Sequence, residues 1–327
     1  MDTVRAYVET FERLRRQKRW STDSNALRLC ALSLATMDLD DPGNRLEATA
    51  AILRKQAGTF SPLNSAIRHA VAAMVLYRGL DPARLVDRVK QTLQSFKAHK
   101  LRKGGAQPLL AAVLLVFDAS GDTVPAGKIR RMKQILDRWN EDHPFLTGLD
   151  DYPMAALHAC REVSVAELGL QVEQIYQRLR EARFSRGNQL QLVSHILAIS
   201  SLGPVKSSRR FVAIAKALRE KGLWIWSSRY DEIALLTLTE GRPREIAAKA
   251  LDYKDQLRGV KHRPDNSMAF SIATGLVLSE QVQRASQLRG PAAAASLRIV
   301  QALIEAQQAA VIAAIAASTA AATSAAH

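Results

Sequence analysis

The chain has 327 residues, a formal net charge of +15 and a pI near 10.1; 47% of it is hydrophobic and 6% aromatic. Two cysteines, Cys30 and Cys160, sit in apolar stretches; they read as small core residues, which excludes a disulfide framework and suits a reducing cytoplasm. No apolar run has the Leu, Ile and Val density of a transmembrane helix, and the excess of cations favours an anionic partner such as nucleic acid, an acidic protein or an anionic membrane.

The N-terminal stretch MDTVRAYVETFERLRR lacks the apolar segment of a signal peptide. Its Val4, Tyr7, Val8, Phe11 and Leu14 fall on one face, which predicts a one-sided amphipathic helix over Val4–Gln17. The same pattern returns, in a shorter copy, over Asn44–Gln56 with Leu46, Ile52 and Leu53. It returns again over Leu85–Phe96, Ile129–Trp139, Val172–Leu179, Phe211–Leu218 and Ile246–Leu257. Asp-Pro at 41–42 and 81–82, and Pro125, Pro204 and Pro243, mark helix starts.

Between these segments lies a second, more apolar kind of helix. The clearest copy is FSRGNQLQLVSHILAISSL, Phe184 to Leu202, a Gly-containing turn followed by a helix predicted over Leu190–Leu202. Its wide apolar pattern predicts burial on more than one side. The aromatic-Ser step that opens it recurs at Trp20-Ser21, Phe60-Ser61 and Trp226-Ser227. Leu101 and Phe145 stand at the intervening beats, and a weaker copy begins near His262. A period of about 41 residues is the mark of a stacked helical repeat. The rings read as buried staples between turn and helix.

The expected fold is all-α: about seven stacked αα hairpins of about 41 residues, forming a right-handed α-solenoid or a closed α/α toroid. The open form is favoured because this length is typical of open arrays. Residues 1–290 form the repeat domain. After Gly290-Pro291, residues 291–327 form an Ala-rich C-terminal helix or tail with a narrow stripe of Leu297, Val300, Ile304, Val311 and Ile315. Capping of the array is the expected role and self-association the alternative. Gln301, Glu305, Gln307 and Gln308 argue against a membrane role.

Cations gather where the amphipathic helices end, and acids at the opposite joints, as helix dipoles favour. If the units align, one edge becomes a basic stripe. Its expected binding residues are Arg19, Lys100, Arg102, Lys103, Arg183, Arg186, Lys221, Lys261 and Arg263. The joint at Asn140-Glu141-Asp142-His143 breaks the rule, being acidic, with Asp150, Asp151 and His158 further on. If the apolar helices line a pocket, Asp150, Asp151, Asn188 and His195 are the candidate catalytic groups of an α/α-toroid enzyme. No metal-ligand spacing, P-loop, GxSxG or strand-borne GxGxxG is present, so no metal or cofactor is expected.

Through FSRGNQLQLVSHILAIS and the Ala-rich QALIEAQQAAVIAAIAAS, the chain resembles, over nearly its full length, a bacterial family known as domain of unknown function 4003. That resemblance implies an all-helical cytoplasmic protein and brings no activity or site residue with it. The leading expectation is a non-enzymatic scaffold for nucleic acid or an acidic protein segment.

Overall fold

The computed structural model describes residues 2–17, 24–35, 37, 39–58, 61–65 and 67–287. Arg19, Trp20, Phe60 and the expected C-terminal helix over 291–327 lie outside the described residues. Fourteen α-helices and no strand occur among those described.

One-sided helices alternate with more deeply buried ones. The first kind comprises α1 (Thr3–Arg16), α3 (Pro42–Ala57), α5 (Pro82–Ala98), α7 (Ala126–Asp142), α9 (Val165–Glu181), α11 (Gly203–Glu220) and α13 (Pro243–Arg258). The second comprises α2 (Ser24–Leu34), α4 (Ile67–Arg78), α6 (Ala106–Asp118), α8 (Tyr152–Ala159), α10 (Asn188–Leu197), α12 (Tyr230–Thr237) and α14 (Asn266–Gln287). Leu85, Val86, Val89 and Phe96 of α5 are buried at helical spacing while Arg84, Asp87 and Lys90 face water. In α6 every residue from Leu109 to Val116 is buried, as a helix flanked on several sides requires.

Two details depart from the sequence reading. Helix α3 is sixteen residues long, not a short copy. Its inner face is Leu46, Thr49, Ala50 and Leu53, while Ile52 is exposed. Small Thr and Ala hold the helical period there, and a count of large apolar residues misses them. Helix α10 stops at Leu197, five residues early. Ile199 is still buried, but Leu202 is exposed and Gly203 takes φ +72°.

Contacts divide the chain into two compact units. Among the described residues, one comprises those up to Lys133 with Ala155–Cys160, the other Gln134–Met154 with those from Arg161 on. Within the first, α1 contacts α2 and α3, α2 contacts α4, α3 contacts α4 and α5, and α5 contacts α6. Within the second, α9 contacts α10 and α11, α10 contacts α12, α11 contacts α12 and α13, and α14 contacts α12 and α13. Within each unit these helices meet a partner in the hairpin, and most meet a like helix of the next hairpin, as in a helical stack.

The joints are built by capping. Asp41 accepts from the Asn44 N–H (3.2 Å), Asp81 from the Arg84 N–H (2.6 Å), and Ser164 from the Glu167 N–H (3.1 Å). At the far end of the buried helices, arginines cap carbonyls. Arg88 donates to the Ala119, Gly121 and Asp122 carbonyls, and Arg210 to those of Thr237, Thr239 and Gly241. Arg78 reaches the Phe117 carbonyl and Arg161 that of Ala198. These four guanidiniums are structural, so the net charge overstates what is offered to a partner.

Candidate functional site

The basic joints follow from a specific helix ending. After α5, the Lys100 N–H bonds to the Lys97 carbonyl and the Leu101 N–H to that of Phe96. After α9, Arg183 bonds to Arg180 and Phe184 to Leu179; after α11, Gly222 bonds to Arg219 and Leu223 to Leu218. All three are Schellman endings, in which the residue beyond the cap is left-handed and the next one is apolar. Gly222 has φ +87°, but Lys100 (+59°) and Arg183 (+67°) adopt this conformation with a full side chain, at roughly 1–2 kcal/mol each.

The apolar residue after the left-handed one is the staple. Leu101 and Phe184 are buried. The Phe184 ring meets Phe211 (5.0 Å between centroids) and Tyr230 (5.2 Å), with the Arg219 guanidinium 5.4 Å above it. The staple expectation fails at Trp226, which is 66% exposed, and Phe145, at an intervening beat, stands almost wholly in solvent. The reason at Trp226 is register: Leu223 occupies the Schellman position after α11, so Trp226 falls three residues beyond it. Trp224 is 79% exposed as well, and the two rings stack with centroids 6.2 Å apart and planes 18° apart. Sequence reasoning missed Trp224; two alternating tryptophans beyond a helix-ending glycine were the available signal.

In the second unit, contacts link the basic joints after α9, α11 and α13. The Ser185 N–H donates to the Tyr230 hydroxyl (3.2 Å), which ties the joint after α9 to the start of α12. The Arg229 guanidinium lies 5.2 Å from the Phe270 ring, which sets the joint after α11 against the first turns of α14. Arg183 and Arg186, Lys221, and Lys261 and Arg263 are exposed at these successive joints. In the first unit Lys100, Arg102 and Lys103 are exposed at a single joint. Arg19 lies outside the described residues.

The candidate catalytic residues separate. Asp150 and Asn188 are exposed, whereas Asp151 and His195 are buried together. His195 stacks on Trp139 with centroids 3.6 Å apart, and its Nδ1 lies 3.5 Å from Asp151 Oδ1. Asp151 Oδ2 accepts from the Gly148 N–H (2.8 Å), and Gln191 Nε2 donates to Thr147 Oγ1 (3.0 Å). Burial pushes the Asp151 carboxyl up to about 7, against the opposing pull of the Gly148 N–H. Both members of this pair lie in the core. The arrangement is a polar cluster in which side chains of α7, α10 and the turn before α8 meet.

The acidic joint after α7 is neutralised locally. Arg138 pairs with Glu141 (3.3 Å) and Asp142 (3.0 Å), and His143 Nε2 lies 2.8 Å from Glu173. His158 is fully buried. Among the described residues no group of three His, Cys, Asp or Glu side chains is placed to hold a metal ion. Cys30 is a core residue but Cys160 is only half-buried; burial pushes both thiols up to about 12, which does not suit nucleophiles. A second buried carboxyl, Glu232 on α12, accepts from Ser271 Oγ (2.7 Å) and is pushed up to about 8 by burial beside Asp231. No described helix is long and apolar enough to cross a membrane.

A family model described as "Protein of unknown function (DUF4003)" matches residues 10–309. The uncharacterized protein YeaA of Bacillus subtilis (strain 168) is 25% identical over 322 residues, covering 95% of this chain and 94% of that protein. No solved structure matches the chain.

Proposed function

This chain belongs to the family described as protein of unknown function (DUF4003), and we propose that it is a non-catalytic helical scaffold that holds an anionic partner along its basic joints. The observation that carries this reading is the adjacency of the three basic joints in the second unit, through the Ser185–Tyr230 and Arg229–Phe270 contacts. Helix-end cations are ordinarily a local matter worth under about 1 kcal/mol each. Side by side they make a line of positive charge suited to an extended polyanion. The left-handed Arg183 adds support, because glycine would fill that position at lower backbone cost and without the charge. The unbonded thiols suit a reducing, cytoplasmic setting.

Nucleic acid is the partner this reading favours. The test is fluorescence anisotropy of the full chain with a labelled 20-nucleotide single strand over about 50–300 mM salt. The expected result is an affinity that falls log-linearly with salt, with a shallower slope for the variant Arg183→Glu/Arg186→Glu/Lys221→Glu. Salt-independent binding, or equal slopes for the two proteins, refutes the basic edge. Absence of binding at the lowest salt, with capture of an acidic peptide instead, moves the partner to the protein class.

A further inference from the structure

We propose that the stacked pair Trp224 and Trp226 is a base-stacking platform, which makes the partner of the basic edge a single-stranded nucleic acid; this inference rests on the anionic-partner reading above. Two large rings in solvent are unfavourable for a monomer unless something covers them. The half-buried Leu223 takes the position after the left-handed Gly222 that buried Phe184 takes after Arg183, and the two tryptophans that follow it are exposed. They belong to the middle one of the three adjoining basic joints. Ser185, between Arg183 and Arg186, bonds to Tyr230 at the end of this joint, Arg229 of the joint reaches Phe270 of the helix that follows Lys261 and Arg263, and Lys221 precedes Trp224 by three residues.

Charge and ring chemistry together select the occupant. The face of an indole carries a negative quadrupole, so a carboxylate side chain gains nothing by lying on it. A nucleobase offers a neutral π-face that stacks there, while its phosphates meet the flanking cations. Only a strand with unpaired bases brings both at once; a duplex keeps its faces stacked inside. A linear arrangement of cations over successive joints also matches a polymer better than a flat lipid surface does.

The test compares binding of the full chain to a 20-nucleotide oligo(dT) and to an abasic oligomer of equal length and charge. Three proteins are used: wild type, Trp224→Leu/Trp226→Leu and Trp224→Tyr/Trp226→Tyr, each checked for retained helix by circular dichroism. Leucine keeps apolar area without a π-face, and tyrosine keeps the face. The expected result is that wild type and the tyrosine variant prefer oligo(dT) to the abasic strand by about tenfold or more. The leucine variant loses that preference, and abasic binding is the same in all three. Equal preference in wild type and the leucine variant overturns the platform while leaving the basic edge intact. Loss of abasic binding to wild type at low salt overturns the edge itself. Vesicles of phosphatidylserine that bind wild type but not the leucine variant, with oligo(dT) unaffected, assign the rings to a membrane surface and overturn the proposal. A poly-glutamate peptide bound as tightly as oligo(dT), with no dependence on the rings, also overturns it.

Discussion

Arg183 separates the fold from the proposed function, because the two make opposite demands on it. At φ +67° its backbone is left-handed, and its N–H closes the Schellman ending of α9 on the Arg180 carbonyl. A Cβ in this region costs roughly 1–2 kcal/mol. Arg183→Gly removes that cost but adds about 0.4–1 kcal/mol of unfolded-chain entropy. The net expectation is a gain of about 0.5–1 kcal/mol, read as a rise of about 1–3 °C in the melting temperature. The exposed side chain makes no buried contact whose loss would offset this gain. In the same variant the salt slope for single-stranded nucleic acid should fall by about 0.7, the share of one neutralised phosphate. Arg183→Ala is the control: it loses the same slope but keeps the strained backbone, so its melting temperature stays within about 2 °C of wild type. Thermal melts by circular dichroism and salt-titrated anisotropy supply both readings. A destabilised glycine variant refutes the capping argument. An unchanged slope in both variants removes Arg183 from the binding edge.

Other outcomes follow from the same structure. Asp151 has an ordinary carboxyl pKa of 3.8 when exposed and about 7 in the fold. Between those values the folded chain holds a proton that the unfolded chain has released, so this group's contribution to stability is lost as pH rises through about 7. Asp151→Asn should therefore match wild type near pH 4 and exceed it at pH 8, by at most about 4 kcal/mol, a ceiling lowered by any pairing of the ionised carboxylate with His195; denaturant melts at both pH values decide this. Arg210→Lys should destabilise by about 2 kcal/mol, since an ammonium cannot span the three carbonyls that the guanidinium caps; an unchanged denaturation midpoint refutes the bridge. Phe184→Ala should cost about 3–5 kcal/mol through the cavity left between Phe211 and Tyr230, and a loss below about 1 kcal/mol would show that the staple is not part of the core.

The helices were legible because their signals are local. Val4, Tyr7, Phe11 and Leu14 repeat at helical spacing, and Asp41-Pro42 and Asp81-Pro82 announce the helix starts that they cap. The staple was legible at Phe184 and not at Trp226. A residue count locates the repeat, but the staple position depends on where α11 ends, and that end lies at Glu220 with the left-handed Gly222 beyond it. Asp151 and His195 could be picked singly as polar residues among apolar ones. Their burial against Trp139 depends on how α7, the turn before α8 and α10 come together, which local spacing does not encode. The basic residues could be enumerated from the chain, but the contacts that bring their joints together, such as Ser185 to Tyr230, are tertiary.

Photocross-linking tests that edge most directly. The full chain would be irradiated with a single-stranded oligonucleotide carrying 4-thiothymidine, and the attached peptides mapped by mass spectrometry. Adducts should concentrate in residues 183–187, 221–229 and 259–266, with Trp224 and Trp226 among the modified side chains. Adducts concentrated instead at the opposite joints, around residues 161–165 and 238–243, would contradict the basic edge as the binding surface.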